Sequence, residues 1–315
     1  MNKFSRTGKS RDVVHRWDGN PLIRLENLEF PCADLRSAGV VFRDNEIFLL
    51  VTIEHLEGYH SIHLARQDEK GAFCVDKTPF IAACRSDSGC SIHESRGVLD
   101  ARVSFLDGVY YIMYLASGAY GFRLGLASTQ DFKQVKSYGL ISEPDTKAGT
   151  LFCEKIDGRY ARLERPAQGK SIWISYSDDL IHWGSSEVLL SPRGGFWDSD
   201  RVGAGAPPMR IQEGWLLIYY GVKETSAGPL FRLGAAILDG DDPSIVLHRS
   251  NIPILGPRED YERIGDLHNI VFTTGAFIDG ETVSIFYSGA DSCVCMGRTT
   301  VGEIVETCLN SAREF

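Results

Sequence analysis

One supersecondary theme recurs five times along the chain, and no other feature constrains its fold as strongly. Each copy is an apolar, aromatic-rich strand followed by a second strand, often with a small-residue end and an Asp nearby. The copies run Asp44–Phe73, Asp107–Phe132, Asp157–Trp183, Glu213–Pro243 and Asp279–Ile304. The clearest reads DGVYYIMYLASGAYGFRLGLASTQDF. Runs such as SIWISYS, GWLLIYYGV and TVSIFYSGA are rich in β-branched and aromatic residues and are bounded by Gly, Asp, Asn or Pro, which is the strand signature. No segment has the pattern of an amphipathic helix of three turns; Tyr261–Asp266 has room for a helical turn. Short antiparallel strands repeated radially make propeller blades, so an all-β fold, a five-bladed β-propeller, is expected. It would occupy residues 1–315 as one domain, with residues 1–25 as an extended lead-in and Asn20-Pro21 marking a turn. A β-sandwich with a β-rich appendage is the competing fold, and the blade-length spacing argues against it. A propeller matters for function because its central cavity gathers polar residues from several blades.

Charge and apolar content exclude several classes of function. The net charge of −9 argues against a nucleic-acid partner. No apolar run approaches the ~20 residues that span a bilayer, so no membrane partner is expected. The N-terminal stretch has basic residues and no apolar core of a secretory signal, which makes the cytoplasm the expected location. None of the eight cysteines forms a C-x-x-C pair, so a zinc ribbon is not expected, and their scatter fits buried or free thiols. His60 and His63 sit three apart on a strand and so point to opposite faces, which argues against a metal pair.

Three segments could carry chemistry. The first is Gly97–Val103, where Asp100 lies beside Arg102 at the expected start of an inner strand. Such a pair can simply fix a turn. It can also put a carboxyl at the mouth of the cavity, where burial would keep it protonated and able to serve a glycosidic leaving group. The second is WDSDRVGAGAPP, residues 197–208, either a tight loop between blades or a cavity lining that presents Trp197 and Arg201 to a sugar. Its Gly-rich string does not match a phosphate-binding P-loop. The third is Glu164-Arg165-Pro166, whose Arg is suited to an anion or could be a surface charge. No G-x-S-x-G elbow is present, so an α/β-hydrolase site is not expected.

Taken together, these residues resemble glycoside hydrolase family 130, the β-mannoside phosphorylases and β-mannosidases. The resemblance rests on GVLDARV (97–103), LFCEKIDGRY (151–160), RP (165–166), SDDLIHWG (177–184), RVGAGAPP (201–208), GWLLIYYGV (214–222), LDGDDP (238–243), YERIGDLHNIVFTTG (261–275) and FYSGAD (286–291). These pieces follow one another in family order along nearly the whole chain. The resemblance implies a five-bladed propeller and an inverting enzyme that cleaves a terminal β-mannosidic bond. It implies Asp100 as proton donor, acting through a hydroxyl of the sugar, although Leu99 and Ala101 stand where the family has Glu and Pro. Arg102, Trp197, Asp198 and Asp291 are sugar-binding candidates.

The phosphate set that the resemblance implies is only partly kept. Lys147, Arg165 and Arg201 would hold phosphate, whereas Tyr220 replaces a His and Thr52 an Arg. Tyr is uncharged at neutral pH and His can be cationic, so the cradle is weakened. That favours hydrolysis, a β-mannosidase acting on β-1,2 or β-1,4 linkages, with Glu224 or Glu262 as the base that activates water. The alternative is a phosphorylase that uses inorganic phosphate and releases α-mannose 1-phosphate. A non-catalytic sugar-binding propeller is the third candidate, and Asp100 argues against it. Neither catalytic route calls for a metal or an organic cofactor. The resemblance admits a homo-oligomer, although nothing in the sequence reads as an interface.

Overall fold

The computed structural model describes residues 12–84 and 91–311. The chain is all-β, with 21 strands, three short α-helices and one 3-10 turn (Leu25–Asn27) among the described residues. After β1 (His15–Arg16), the first long sheet contains β2 (Asp34–Arg43), β3 (Glu46–Glu54), β4 (His60–Gln67) and β5 (Phe73–Val75). It continues through β6 (Gly97–Leu106), β7 (Val109–Gly118), β8 (Gly121–Thr129) and β9 (Lys136–Leu140). A second sheet is built from β10 (Thr146–Leu151), β11 (Tyr160–Pro166), β12 (Ile172–Ser177) and β13 (Gly184–Leu190). The third holds β14 (Arg201–Ala204), β15 (Met209–Ile211), β16 (Gly214–Thr225), β17 (Gly228–Leu238) and β18 (Val246–Arg249). The fourth combines β19 (Val271–Asp279), β20 (Thr282–Gly289) and β21 (Cys293–Thr300).

Neighbouring strands pair antiparallel except at one point. The long sheet is held in one piece by a single parallel pair, His60 with Gly97. Gly97 has φ +102°, and a side chain there would collide with the backbone of His60, so glycine is required. The first strands lie side by side: β2 packs against β6 and β19, and β10 against β6 and β14. Alternating strand residues fill the space between sheets; Trp215, Tyr219, Phe286 and Tyr287 are fully buried there.

The described part of the N-terminal segment joins a sheet. β1 pairs with β21, and Ile23 bridges to Val294, so the two ends of the chain share one sheet. Glu262 and Arg16 tie this junction by an ion pair of 2.7 Å. The last repeat also ends differently from its expected strand pattern. Its final residues enter α3 (Val301–Leu309), capped by Thr300, whose hydroxyl accepts from the Glu303 amide. The Thr300-x-x-Glu303 spacing is the capping-box signal, which the strand reading of this stretch passed over. The turn expected within Tyr261–Asp266 is α2 (Asp260–Arg263), preceded in the chain by α1 (Ser91–Glu94). Cys84 is disulfide-bonded, which corrects the expectation of thiols throughout, while Cys32, Cys74, Cys153, Cys293, Cys295 and Cys308 are free.

Candidate active site

A bulge aims Asp100. The pairing of β6 with β7 shifts register between Leu99 and Arg102, and Asp100 sits at φ +59°. The same irregularity recurs in β2, where Ser37 has φ +39°, and in β10, where Ala148 has φ +53°. Such bulges turn a side chain out of the alternating pattern, and here three neighbouring first strands share the device.

Thr52 and Ser37 then fix the carboxylate. The Asp100 amide donates to the Thr52 hydroxyl at 3.0 Å, and the Ser37 hydroxyl donates to Asp100 Oδ1 at 2.9 Å. Ser37 and Thr52 are themselves 3.1 Å apart. Thr52, which the sequence marked as a lost phosphate ligand, therefore helps to hold the acid. Ser37 was missed, because a lone Ser on a strand carries no signal until the fold brings it to a partner 63 residues away in the chain.

Arg102 acts from beneath. Its guanidinium is buried and donates to three carbonyl oxygens: Gly205 at 2.8 Å, Ala204 at 3.3 Å and Asp100 at 3.0 Å. All these contacts are to backbone, so it positions Asp100 against the GAGAPP segment rather than presenting a free donor to a sugar. Burial pushes its pKa down, and the Asp100 charge opposes that.

Two cations, Lys147 and Arg165, lie near each other, and Lys147 feels the charge of Asp100. Burial lowers the Lys147 pKa, the nearby charges of Arg165 and Arg201 lower it further, and the carboxylates of Asp100 and Asp145 pull it back. Its ammonium sits 3.5 Å from the centroid of the Phe122 ring. Arg165 is 8% exposed and makes one side-chain hydrogen bond, from Nε to the Tyr220 hydroxyl at 3.2 Å. Among the described residues neither Lys147 nor Arg165 has a carboxylate partner. Gly203 makes room for this arrangement, because a Cβ there would collide with the Tyr220 phenol. Arg201 completes the group, paired with Asp200 at 2.6 Å and Glu224 at 3.2 Å.

Asp291 lies on the other flank. Burial pushes its carboxyl up to about 6, Arg36 at 3.2 Å pulls it down, and the Asp100 charge raises it. Asp100, Asp291, Lys147, Arg165, Arg201 and Tyr220 are thus linked by contact or by charge.

Trp197, Asp198 and Glu262 are not part of this group. Trp197 is 7% exposed and stacks on Tyr219 with centroids 5.6 Å apart. It fills a slot left by Gly234, where a Cβ would lie 2.6 Å from the indole, and Gly221 lies against the same ring. Asp198 is fully buried and takes Arg193 and Arg249, each at 2.8 Å, and the Tyr219 hydroxyl at 2.9 Å. Glu262 is fully buried and takes Arg16, the Tyr287 hydroxyl and the amides of Arg258 and Glu259. With all its acceptor directions occupied, it is a structural carboxylate rather than a base for water. Glu224 is half exposed and turned to Arg201.

An all-β scaffold that gathers the carboxylates of Asp100 and Asp291 with Lys147, Arg165 and Arg201 is suited to acid-assisted transfer of a group to an anion. The model of glycoside hydrolase family 130, described as beta-1,4-mannooligosaccharide phosphorylase, matches residues 88–310. The chain belongs to this family. It is 34% identical over 255 residues to a beta-1,2-mannobiose phosphorylase of Listeria innocua serovar 6a, covering 80% of this chain and 69% of that one. It is 29% identical to a beta-1,4-mannooligosaccharide phosphorylase of Ruminococcus albus, over 94% and 91% of the two chains. The solved beta-1,2-mannobiose complex of the Listeria innocua beta-1,2-mannobiose phosphorylase superposes with a TM-score of 0.85, at 28% identity, covering 95% of this chain and 99% of that one. No helix among the described residues is long and apolar enough to cross a membrane.

Proposed function

We propose that this protein is an inverting β-mannoside phosphorylase acting on β-1,2- or β-1,4-linked manno-oligosaccharides. The observation that carries the proposal is the pair Lys147 and Arg165, two largely buried cations with no carboxylate at ion-pair distance among the described residues, the first of which feels the Asp100 charge. A buried charge without a partner is costly, and a phosphate dianion in their midst would remove that cost. The names of the relatives point the same way. Phosphorolysis thus replaces the hydrolysis favoured from Tyr220 and Thr52. Hydrolysis would need a base for water, and the two carboxylates considered for it are engaged with Arg16 and Arg201.

In the proposed step, phosphate attacks the anomeric carbon from the face opposite the leaving group. The glycosidic C–O bond breaks as Asp100 supplies a proton to the leaving oxygen through a sugar hydroxyl. The proton lost by the phosphate restores Asp100, and α-mannose 1-phosphate and a shortened sugar leave. Arg165, Lys147 and Arg201 neutralise the nucleophile and hold it in line, which is the positioning and electrostatic share of the catalysis. Tyr220 orients Arg165 in place of adding a charge. Arg102 and Thr52 hold the Asp100 backbone, and Asp291 offers its carboxyl to a sugar hydroxyl.

The same proposal includes a five-bladed propeller over one domain. Its support is the five strand groups, two of which share the long sheet through the single His60–Gly97 pair, and the pairing of β1 with β21.

The test is incubation with β-1,2- and β-1,4-mannobiose, with and without inorganic phosphate, followed by proton NMR. Mannose 1-phosphate that forms only when phosphate is present is expected. Free mannose forming at the same rate without phosphate would sink the proposal and return hydrolysis.

A further inference from the structure

Three arginines line one cavity on the face of β17 opposite Phe231. Phe231 turns toward Tyr220 and Arg201. Its neighbours Leu230 and Arg232 alternate to the other side and line a space of about 450 Å³ together with Arg258, Arg263 and Asn269. No carboxylate among the described residues lines this cavity, in a chain whose net charge is −9.

The cavity carries more positive than negative charge, with Arg232 half-buried in its wall and Arg258 and Arg263 exposed at its edge. Arg258 binds Asp12 at 2.7 and 3.1 Å from the rim, but the same Asp12 carboxylate also takes Arg16 at 2.9 Å. Among the described residues, the guanidinium groups of Arg232 and Arg263 make no hydrogen bond or ion pair. The Arg232 stem lies beside Gly256, where a Cβ would stand 3.6 Å from its Cγ, so the group is laid along a wall of the cavity. Burial pushes the Arg232 pKa down, the Arg258 charge adds to that, and the Asp12 charge opposes it. Like charges gathered in a half-enclosed space repel one another, and a bound anion removes the repulsion.

We propose that this cavity binds a phosphate dianion, carried by orthophosphate or by a sugar phosphate, at a site separate from Lys147 and Arg165. Planar guanidinium forks match phosphate oxygens in pairs, and three of them balance a dianion better than a single carboxylate. The volume leaves room for a sugar attached to the phosphate. The inference does not rest on the chemistry at Asp100.

Calorimetric titration at constant ionic strength tests it, with orthophosphate in one arm and mannose 1-phosphate in the other. Arg232→Gln removes a guanidinium that holds nothing else, and Arg165→Ala disables the central cradle. Two equivalents of phosphate are expected for the wild type, one for each single variant, and none for the double variant in the same concentration range. Arg232→Lys should weaken the outer site at least severalfold while keeping its charge. Tighter binding of mannose 1-phosphate than of orthophosphate at the outer site would identify the sugar phosphate as its occupant, and the reverse order would identify orthophosphate. If phosphate does not bind centrally, the wild type takes up one equivalent and Arg232→Gln none, which separates the failure of phosphorolysis from the failure of this site. Equal stoichiometry and affinity in the wild type and Arg232→Gln would overturn the proposal.

Discussion

The Nε of Arg165 donates to the phenol oxygen of Tyr220 at 3.2 Å, across the boundary between two sheets. A residue that subtracts a cation from the cradle thereby fixes the direction of another. Tyr220→Phe leaves the ring in place and removes the acceptor. The net worth of one such hydrogen bond is about 1 kcal/mol, so the KM for phosphate should rise about fivefold. The mannoside KM should stay within twofold. Initial rates with each substrate varied in turn check this, and a shift confined to the mannoside would contradict it.

Asp100→Asn should separate turnover from folding. Asn tolerates the left-handed backbone at φ +59° and can still accept from Ser37. Loss of a general acid lowers turnover by about 10²–10⁴-fold. Release of mannose 1-phosphate should fall by that factor, with the midpoint of urea unfolding almost unchanged. Activity within threefold of the wild type would remove Asp100 from the mechanism.

Glu262→Gln should harm stability far more than chemistry. It takes the charge from the 2.7 Å partner of Arg16, but Asp12 at 2.9 Å still faces that guanidinium, so the loss should stay below the ~3–5 kcal/mol of a fully broken buried pair. Urea unfolding should show that loss, while kcat of the folded fraction stays within a few-fold. Glu224→Gln should leave both properties nearly intact, because its side chain is 53% exposed. A collapse of kcat in either variant at unchanged stability would revive the carboxylate as a base.

Asp291 makes folding stability depend on pH. Its folded pKa of about 6 lies above the ~3.9 of an unfolded Asp. Between those values the folded chain holds a proton that the unfolded chain has released, so stability falls as pH rises through this window. At most about 3 kcal/mol is involved. In Asp291→Asn this part of the decline should vanish. The difference in unfolding free energy between variant and wild type, measured at pH 4.5 and at pH 7, should therefore shift in the variant's favour at the higher pH. Parallel profiles would show that Asp291 titrates normally.

The repeat, the strand runs and the acid were legible because each has a local physical cause. Alternating apolar residues between turn residues specify strands whatever surrounds them. Asp100, Lys147, Arg165 and Arg201 could be named as candidates because each lies in or near a motif. Trp197 and Asp198 were misplaced for an equally physical reason. Both are close to Arg201 in sequence, but Gly221 and Gly234 open a slot that draws Trp197 into the core, and Arg193 and Arg249 neutralise Asp198 there. Glu262 looked free because Arg16, its partner, lies 246 residues away.

The sequence by itself determined the all-β architecture, the family and the identity of the candidate acid, since these depend on periodicity and on motifs read within short windows. Only the tertiary structure decided which charges are compensated. It buried Glu262 against Arg16. Among the described residues it left Lys147 and Arg165 without a carboxylate at ion-pair distance, and gathered Arg232, Arg258 and Arg263 in a cavity free of carboxylates. Charge compensation depends on distance and burial between residues far apart in the chain, and those quantities do not exist until the sheets have packed.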